Sequence, residues 1–137
     1  MFPELIIHNT ISLDGSLAGF SADIGLHYRI LGSLGPDAML VSSNTAKTGA
    51  EMFIGNIPSE EPSDIVKSAY KGDEARPYWI IADSRGILEG MLHVFRRSEY
   101  CQDVIVLISE GTPASYAEYL QQRDYDHIIT GKEQAGT

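Results

Sequence analysis

Three short polar turns carry the residue types that could bind or transform a ligand: Ser12-Leu13-Asp14-Gly15, Ser42-Ser43-Asn44-Thr45 and Asp83-Ser84-Arg85-Gly86. Each follows an apolar run of strand length. Each also offers hydroxyls, a carboxamide or a carboxylate beside backbone N–H groups freed by the turn. That combination suits a phosphate-bearing or heterocyclic ligand. It is equally what any strand end needs in order to turn, so Asp14 can simply cap its own backbone and Ser12 can be a strand-end hydroxyl. Other chemistries have weaker footing. His8, His27, His93 and His127 are too dispersed along the chain to be read as a metal site. No G-x-S-x-G elbow is present for a hydrolase nucleophile. Cys101 is the one cysteine, so no internal disulfide can form, and it has no Cys or His neighbour at ligand spacing. Trp79 and the tyrosines are expected to fill the core rather than stack on a ligand.

An alternation of strands and helices has to hold these turns. Leu5 to Ile11 is apolar and β-branched and reads as a strand ending at Asp14-Gly15. Asp23 can cap a helix with an apolar face of Ile24, Tyr28, Leu31 and Leu34, ended by Gly35-Pro36. Ala38 to Val41 reads as a short buried strand running into the Ser42–Thr45 loop. Ala46 to Pro62 has no clear period and is expected to be a surface excursion. Ser63 or Asp64 should then start a short helix through about Lys71. Tyr78 to Ala82 and Val104 to Ile108 are apolar strands. Thr112-Pro113 reads as a threonine N-cap with proline at the first helical position of a helix. That helix carries Tyr116, Tyr119 and Leu120 on one face and ends near Arg123, and Ile128-Ile129 is a last short strand. Continuous apolar strands between helices predict an α/β class with a mostly parallel sheet covered on both faces. Ligands then sit beyond the carboxyl ends of the strands, where the polar turns fall.

Composition sets the outer limits. The 137 residues are 43% hydrophobic, enough for one domain with a real core. No apolar run approaches the roughly 18 to 20 residues of a membrane helix, and no basic-then-apolar leader opens the sequence. A cytoplasmic protein with no membrane partner is expected. The formal net charge of −9 makes nucleic acid a poor partner, because phosphates would be repelled at long range. An anionic cofactor is not excluded, since helix N-termini and backbone N–H groups can bind one without net positive charge.

At the three turns the chain resembles a known family. Asn9-Thr10-Ile11-Ser12-Leu13-Asp14-Gly15 with Ala18 is similar to the S-x-D-G-x-x-A opening of the riboflavin-biosynthesis reductase domain. Asp37-Ala38-Met39-Leu40-Val41-Ser42-Ser43-Asn44-Thr45 looks like that family's D-A-I-L-V-G-x-x-T strand and loop. Arg76-Pro77 with Ile80-Ile81-Ala82-Asp83-Ser84-Arg85-Gly86 looks like its R-P-x-R-I-V-x-D-S-x-G segment. Three blocks in register carry the resemblance from about Glu4 to the end of the chain. It implies a dihydrofolate-reductase-like fold of mostly parallel strands flanked by helices, and hydride transfer from NADPH to a ribosylaminopyrimidine phosphate, a small heterocyclic substrate. Position by position, it places Thr10, Thr45 and Ser84 on the dinucleotide and Ser12 and Asp14 at the substrate mouth. A homodimer is implied by analogy with relatives.

The departures fall mainly on the substrate side. Gly32-Ser33-Leu34 stands where relatives end a helix with a phosphate-binding arginine, and Thr45 to Glu51 replaces a T-x-x-x-D-D-P run. The family's E-G-G-x-x-L cradle has no counterpart, and Lys132 to Thr137 falls where the helix leading to it should begin. The expectation is therefore a single but incomplete reductase domain over residues 1–137, inactive as given. The alternative is a non-catalytic ligand-binding or dimerising domain that keeps the fold.

Overall fold

The computed structural model describes residues 2–67 and 76–132. The chain divides into two compact units between Pro36 and Asp37.

In the first unit, Asp23 caps helix α1 (Ile24–Ser33) by accepting from the Leu26 N–H at 2.9 Å. The predicted capping residue and helix are both found. Past the last turn, Gly35 takes a left-handed φ of 61° that a side chain would resist. Residues 5–11 do not form the expected strand. A strand needs a ladder partner as well as β-branched composition, and among the described residues of its unit this segment pairs with none. It runs alongside α1 instead, joined to it through His8, Thr10 and His27.

The second unit is an α/β layer. Four strands, β1 (Ala38–Ser42), β2 (Tyr78–Ala82), β3 (Val104–Ile108) and β4 (Asp126–Ile129), make one sheet in the order β1-β2-β3-β4, every neighbouring pair parallel. Right-handed crossovers in a sheet that advances in one direction put the connecting helices on one face. Burial agrees, because Trp79, Ile81, Val104, Val106 and Ile108, alternating residues brought together by the register, are all buried. Among the residues of the opposite face, Leu40 is 64% and Ile128 54% exposed. The predicted strands are thus found, with β4 two residues longer than its apolar core, but β1 is not the buried strand expected, since none of its residues is buried and it stands at the sheet's edge.

The helices differ more from expectation. The stretch read as a loop and surface excursion begins with α2 (Ser43–Phe53), capped by Ser42, whose Oγ accepts from the Thr45 N–H at 3.3 Å. Its buried stripe is Ser43, Ala46 and Ala50, spaced by three and four. Such small residues leave little hydrophobic signal in the sequence. In place of a helix from Ser63, a single 3₁₀ turn spans Pro62–Ile65 and ends at an extended Val66. The rest of that expected helix, from residue 68, lies outside the described residues. A short helix not anticipated, α3 (Leu92–Arg96), follows β2. Helix α4 (Ala114–Gln122) buries Tyr116, Tyr119 and Leu120 as predicted. Its cap position is Pro113, not Thr112. The Thr112 hydroxyl instead donates to the Ser84 carbonyl at 2.7 Å and accepts from the Ser109 N–H at 2.9 Å.

At the amino ends of the strands the elements converge on Arg96, only 3% exposed. Its Nε donates to Asp103 Oδ1 at 2.8 Å, and its Nη1 donates to the carbonyls of Asp64 and Arg123 at 2.9 and 2.8 Å. Its Nη2 reaches the Asp124 carbonyl at 3.1 Å, and the guanidinium lies 3.8 Å from the Tyr125 ring centre. Asp124 takes a left-handed φ of 57°, which an aspartate tolerates better than most residues. Arg97, beside it, clamps the Asp64 carboxylate with Nε (2.9 Å) and Nη2. That guanidinium holds the Asp64 carboxyl below its ordinary range.

Removing the Arg96 side chain would take the cationic partner from a buried carboxylate and a donor from three carbonyls. Arg96→Ala should therefore lose about 3 to 5 kcal/mol of unfolding free energy. Urea titration followed by Trp79 fluorescence measures this. A loss under about 1 kcal/mol would show that the network is dispensable.

Candidate functional site

The geometry of the second unit is that of an open parallel sheet, whose binding edge is the carboxyl one. Ser42 ends β1 and pairs in register with Ala82, which ends β2. The Ser42–Thr45 and Asp83–Gly86 turns are therefore neighbours along one edge, and Thr45 and Ser84 belong to it together. The loop after β3, Ser109-Glu110-Gly111-Thr112, continues the same edge, with Glu110 and Gly111 donating to the carbonyls of Gly131 and Lys132 at 2.8 and 2.9 Å.

Each turn is held by its own chemistry. On the first, Ser42 Oγ caps α2 and donates to Thr45 Oγ1 at 3.0 Å, so the exposed Thr45 hydroxyl keeps its own proton to donate outward. The N-terminus of α2 opens here, with the exposed Asn44 beside it. On the second, the buried Asp83 carboxylate accepts from the N–H groups of Ile87 and Leu88, both at 3.0 Å. Gly86 turns at a φ of 73° directly over Tyr116, where a Cβ would stand 2.8 Å from the ring. Burial, and then the nearby Asp83 charge, push the Tyr116 phenol far above its ordinary value, so the ring is a neutral floor. Thr112 ties the turn from the third side through the Ser84 carbonyl. Fixed at three points, the turn presents the half-exposed Ser84 hydroxyl and the exposed Arg85 on a rigid base.

The donors on this edge are of the kinds that suit an anion. The edge gathers a helix N-terminus, the Thr45, Ser84 and Asn44 side chains and one guanidinium. Both oxygens of Asp83 accept backbone N–H groups, so the carboxylate braces the turn from beneath.

The first-unit candidates are placed differently. Thr10 Oγ1 lies 2.6 Å from His27 Nδ1. Ser12 Oγ donates to Asp14 Oδ1, and the Ser16 N–H donates to both side chains, at 3.1 Å to Ser12 and 3.3 Å to Asp14. Gly15 completes this turn at a φ of 81°. The Ser12 hydroxyl, and after it the Ser16 N–H, hold the Asp14 carboxyl below its ordinary value. These three side chains thus have partners within their own unit, whereas Thr45 and Ser84 share an edge. Sequence reasoning passed over Ser109 and Thr112. Their signal was a cluster of small polar residues directly after the most apolar strand.

His8 and His27, 19 positions apart, come together with ring centres 4.4 Å apart. The buried His93 pairs with the Pro58 carbonyl at 2.7 Å. Among the described residues no group of three or more His, Cys, Asp or Glu could hold a metal, and no helix is long and apolar enough to cross a membrane. No protein-family model matches the chain, and no curated protein matches its sequence.

The rigid second turn has a sharp test. Gly86→Ala puts a methyl into the Tyr116 ring at a left-handed φ, and about 2 kcal/mol or more of stability should be lost. Chemical denaturation measures it. A variant as stable as the parent would show that the turn yields easily.

Proposed function

We propose that this chain is an NADPH-binding oxidoreductase domain of the riboflavin-reductase type, with the cofactor phosphates held at the carboxyl edge of the sheet. The observation that carries the reading is the placement of Thr45, in the first turn of α2, and Ser84, on the turn after β2, at neighbouring strand ends of one parallel edge. Resemblance of three sequence blocks to that reductase family supports it, as does the fit of the donor set to phosphate. When bound, NADPH supplies the hydride. The chain's own residues then have a binding and orienting part: Thr45 and Ser84 donate from their hydroxyls and Arg85 neutralises charge, while the assignment of Thr10 to a dinucleotide rests on the sequence resemblance alone. Ser12 and Asp14 are assigned to a heterocyclic substrate, with the carboxylate ionised. The substrate in this proposal is a ribosylaminopyrimidine phosphate and the compartment is the cytoplasm.

A second reading is a non-catalytic ligand-binding or dimerising domain. It is favoured by Thr10, Ser12 and Asp14 already having partners within their own unit.

Hydrogen bonds from a hydroxyl to a charged group contribute roughly 1.5 to 3 kcal/mol. Thr45→Ala and Ser84→Ala should each weaken NADPH binding by about tenfold or more with melting temperatures nearly unchanged. Ser42→Ala is the contrasting control, because it removes the α2 cap and should cost about 1 kcal/mol of stability. NADPH fluorescence titrations alongside thermal melts decide the matter. Unchanged affinity in both alanine variants would overturn the cofactor assignment.

We also propose a homodimer formed through β1. This edge strand has no charged residue from Ala38 to Ser42, although charge is the usual guard of an exposed edge, and Leu40 is 64% exposed. Light scattering at micromolar concentration should give twice the 15.0 kDa chain mass, and Leu40→Lys should return it to the single mass. A monomeric parent protein would overturn the dimer.

A further inference from the structure

In the first unit an extended segment lies along α1 with its large apolar side chains turned away. Leu5, Ile7 and Leu13 are 82%, 84% and 111% exposed, while His8 and Thr10 are half-buried. Hydrophobic burial therefore does little to hold it. Polar contacts do, and three of them meet at one residue. The His8 and His27 rings stack at 4.4 Å with a 35° tilt, and His8 Nε2 lies 3.3 Å from the His27 carbonyl. Thr10 Oγ1 lies 2.6 Å from His27 Nδ1.

We propose that the stacked His8–His27 pair is a proton-operated latch, holding the segment against α1 at neutral pH and releasing it in mild acid. Two neutral imidazoles can stack at this separation, whereas two imidazolium rings repel each other. The other groups about His27 do not offset that repulsion. Tyr28 meets it edge-on at 5.2 Å and carries no charge, and the Asp23 carboxylate caps the helix through the Leu26 N–H, while burial and His8 are what act on the His27 ring. Among the described residues neither ring is bonded to a carboxylate. Burial first, and then the His8 charge, hold His27 below its ordinary value. The released segment consequently binds more protons than the latched one, so latching weakens as pH falls through the ordinary histidine value of about 6.5. The segment leads directly into the Ser12–Gly15 turn, so release would free that turn from α1. The latch does not depend on the cofactor assigned above.

The test is heteronuclear NMR on the whole ¹⁵N-labelled chain at about pH 7.5 and about pH 5, either side of the histidine range. At the higher pH the backbone NOE values of residues 5–11 should equal those of α1. At the lower pH they should fall to values typical of a free chain end, while α1 and α4 signals are unchanged. His8→Gln retains a donor for the His27 carbonyl but cannot charge. That variant should keep the segment ordered at about pH 5 and raise the His27 side-chain titration midpoint. Segment order that is the same at both pH values overturns the proposal. So does acid release that persists in His8→Gln, or a loss of order shared with α4.

Discussion

The second unit depends on a single buried guanidinium. Arg96 is the common partner of the 3₁₀ turn, the residue before β3, the end of α4 and the ring that opens β4. Strands of four and five residues make few ladder bonds, and a parallel sheet cannot close its connections with tight hairpins. Something has to fix the amino ends of those strands to the elements that feed them. A planar fork with five donors can meet a carboxylate and several carbonyls at once, which a lysine could not. Arg97 and Arg123 extend the arrangement by holding Asp64 and Glu60, so segment 58–64 is tied down by two ion pairs and by the His93 bond to the Pro58 carbonyl.

The tie lies at the amino ends of the strands, opposite the edge where ligands of such sheets sit. Structural and binding demands are thereby separated. The amino end is closed by charged groups paired with one another and with carbonyls, and the carboxyl edge is left with hydroxyls and a helix terminus that still have capacity to donate. Tyr116 connects the two, since α4 both ends at the Arg96 network and supports the Asp83–Gly86 turn through Gly86.

What could be read from the sequence follows from how each element is stabilised. β2 and β3 are apolar runs between turn residues, and α4 has bulky residues at helical spacing, so all three were legible. Helix α2 was not, because Ser43, Ala46 and Ala50 bury so little that the pattern is nearly silent and its cap, Ser42, resembles a loop serine. α3 was not, because five residues give no period, and Arg96-Arg97 looks like surface charge until its buried acceptors are seen. Leu5 to Ile11 misled for the opposite reason, since its composition suits a strand but composition does not supply a neighbour. The arrangement along the carboxyl edge was legible in part. Polar turns after strands pointed to Thr45 and Ser84, but the contribution of Thr112 depends on a contact 28 residues away in sequence.

The placement of charge limits how this protein could hold an anion. Its densest basic pair, Arg96-Arg97, is consumed by Asp103 and Asp64, while Arg123 and Lys67 are paired with Glu60 and Asp126. With a net charge of −9, the long-range field repels a phosphate rather than gathering it. Binding at the carboxyl edge would have to be won at short range, by oriented hydroxyls, helix N–H groups and Arg85. Such groups act only when held in place. The three anchors on the Asp83–Gly86 turn and the serine cap on α2 are therefore conditions of binding as much as features of the fold.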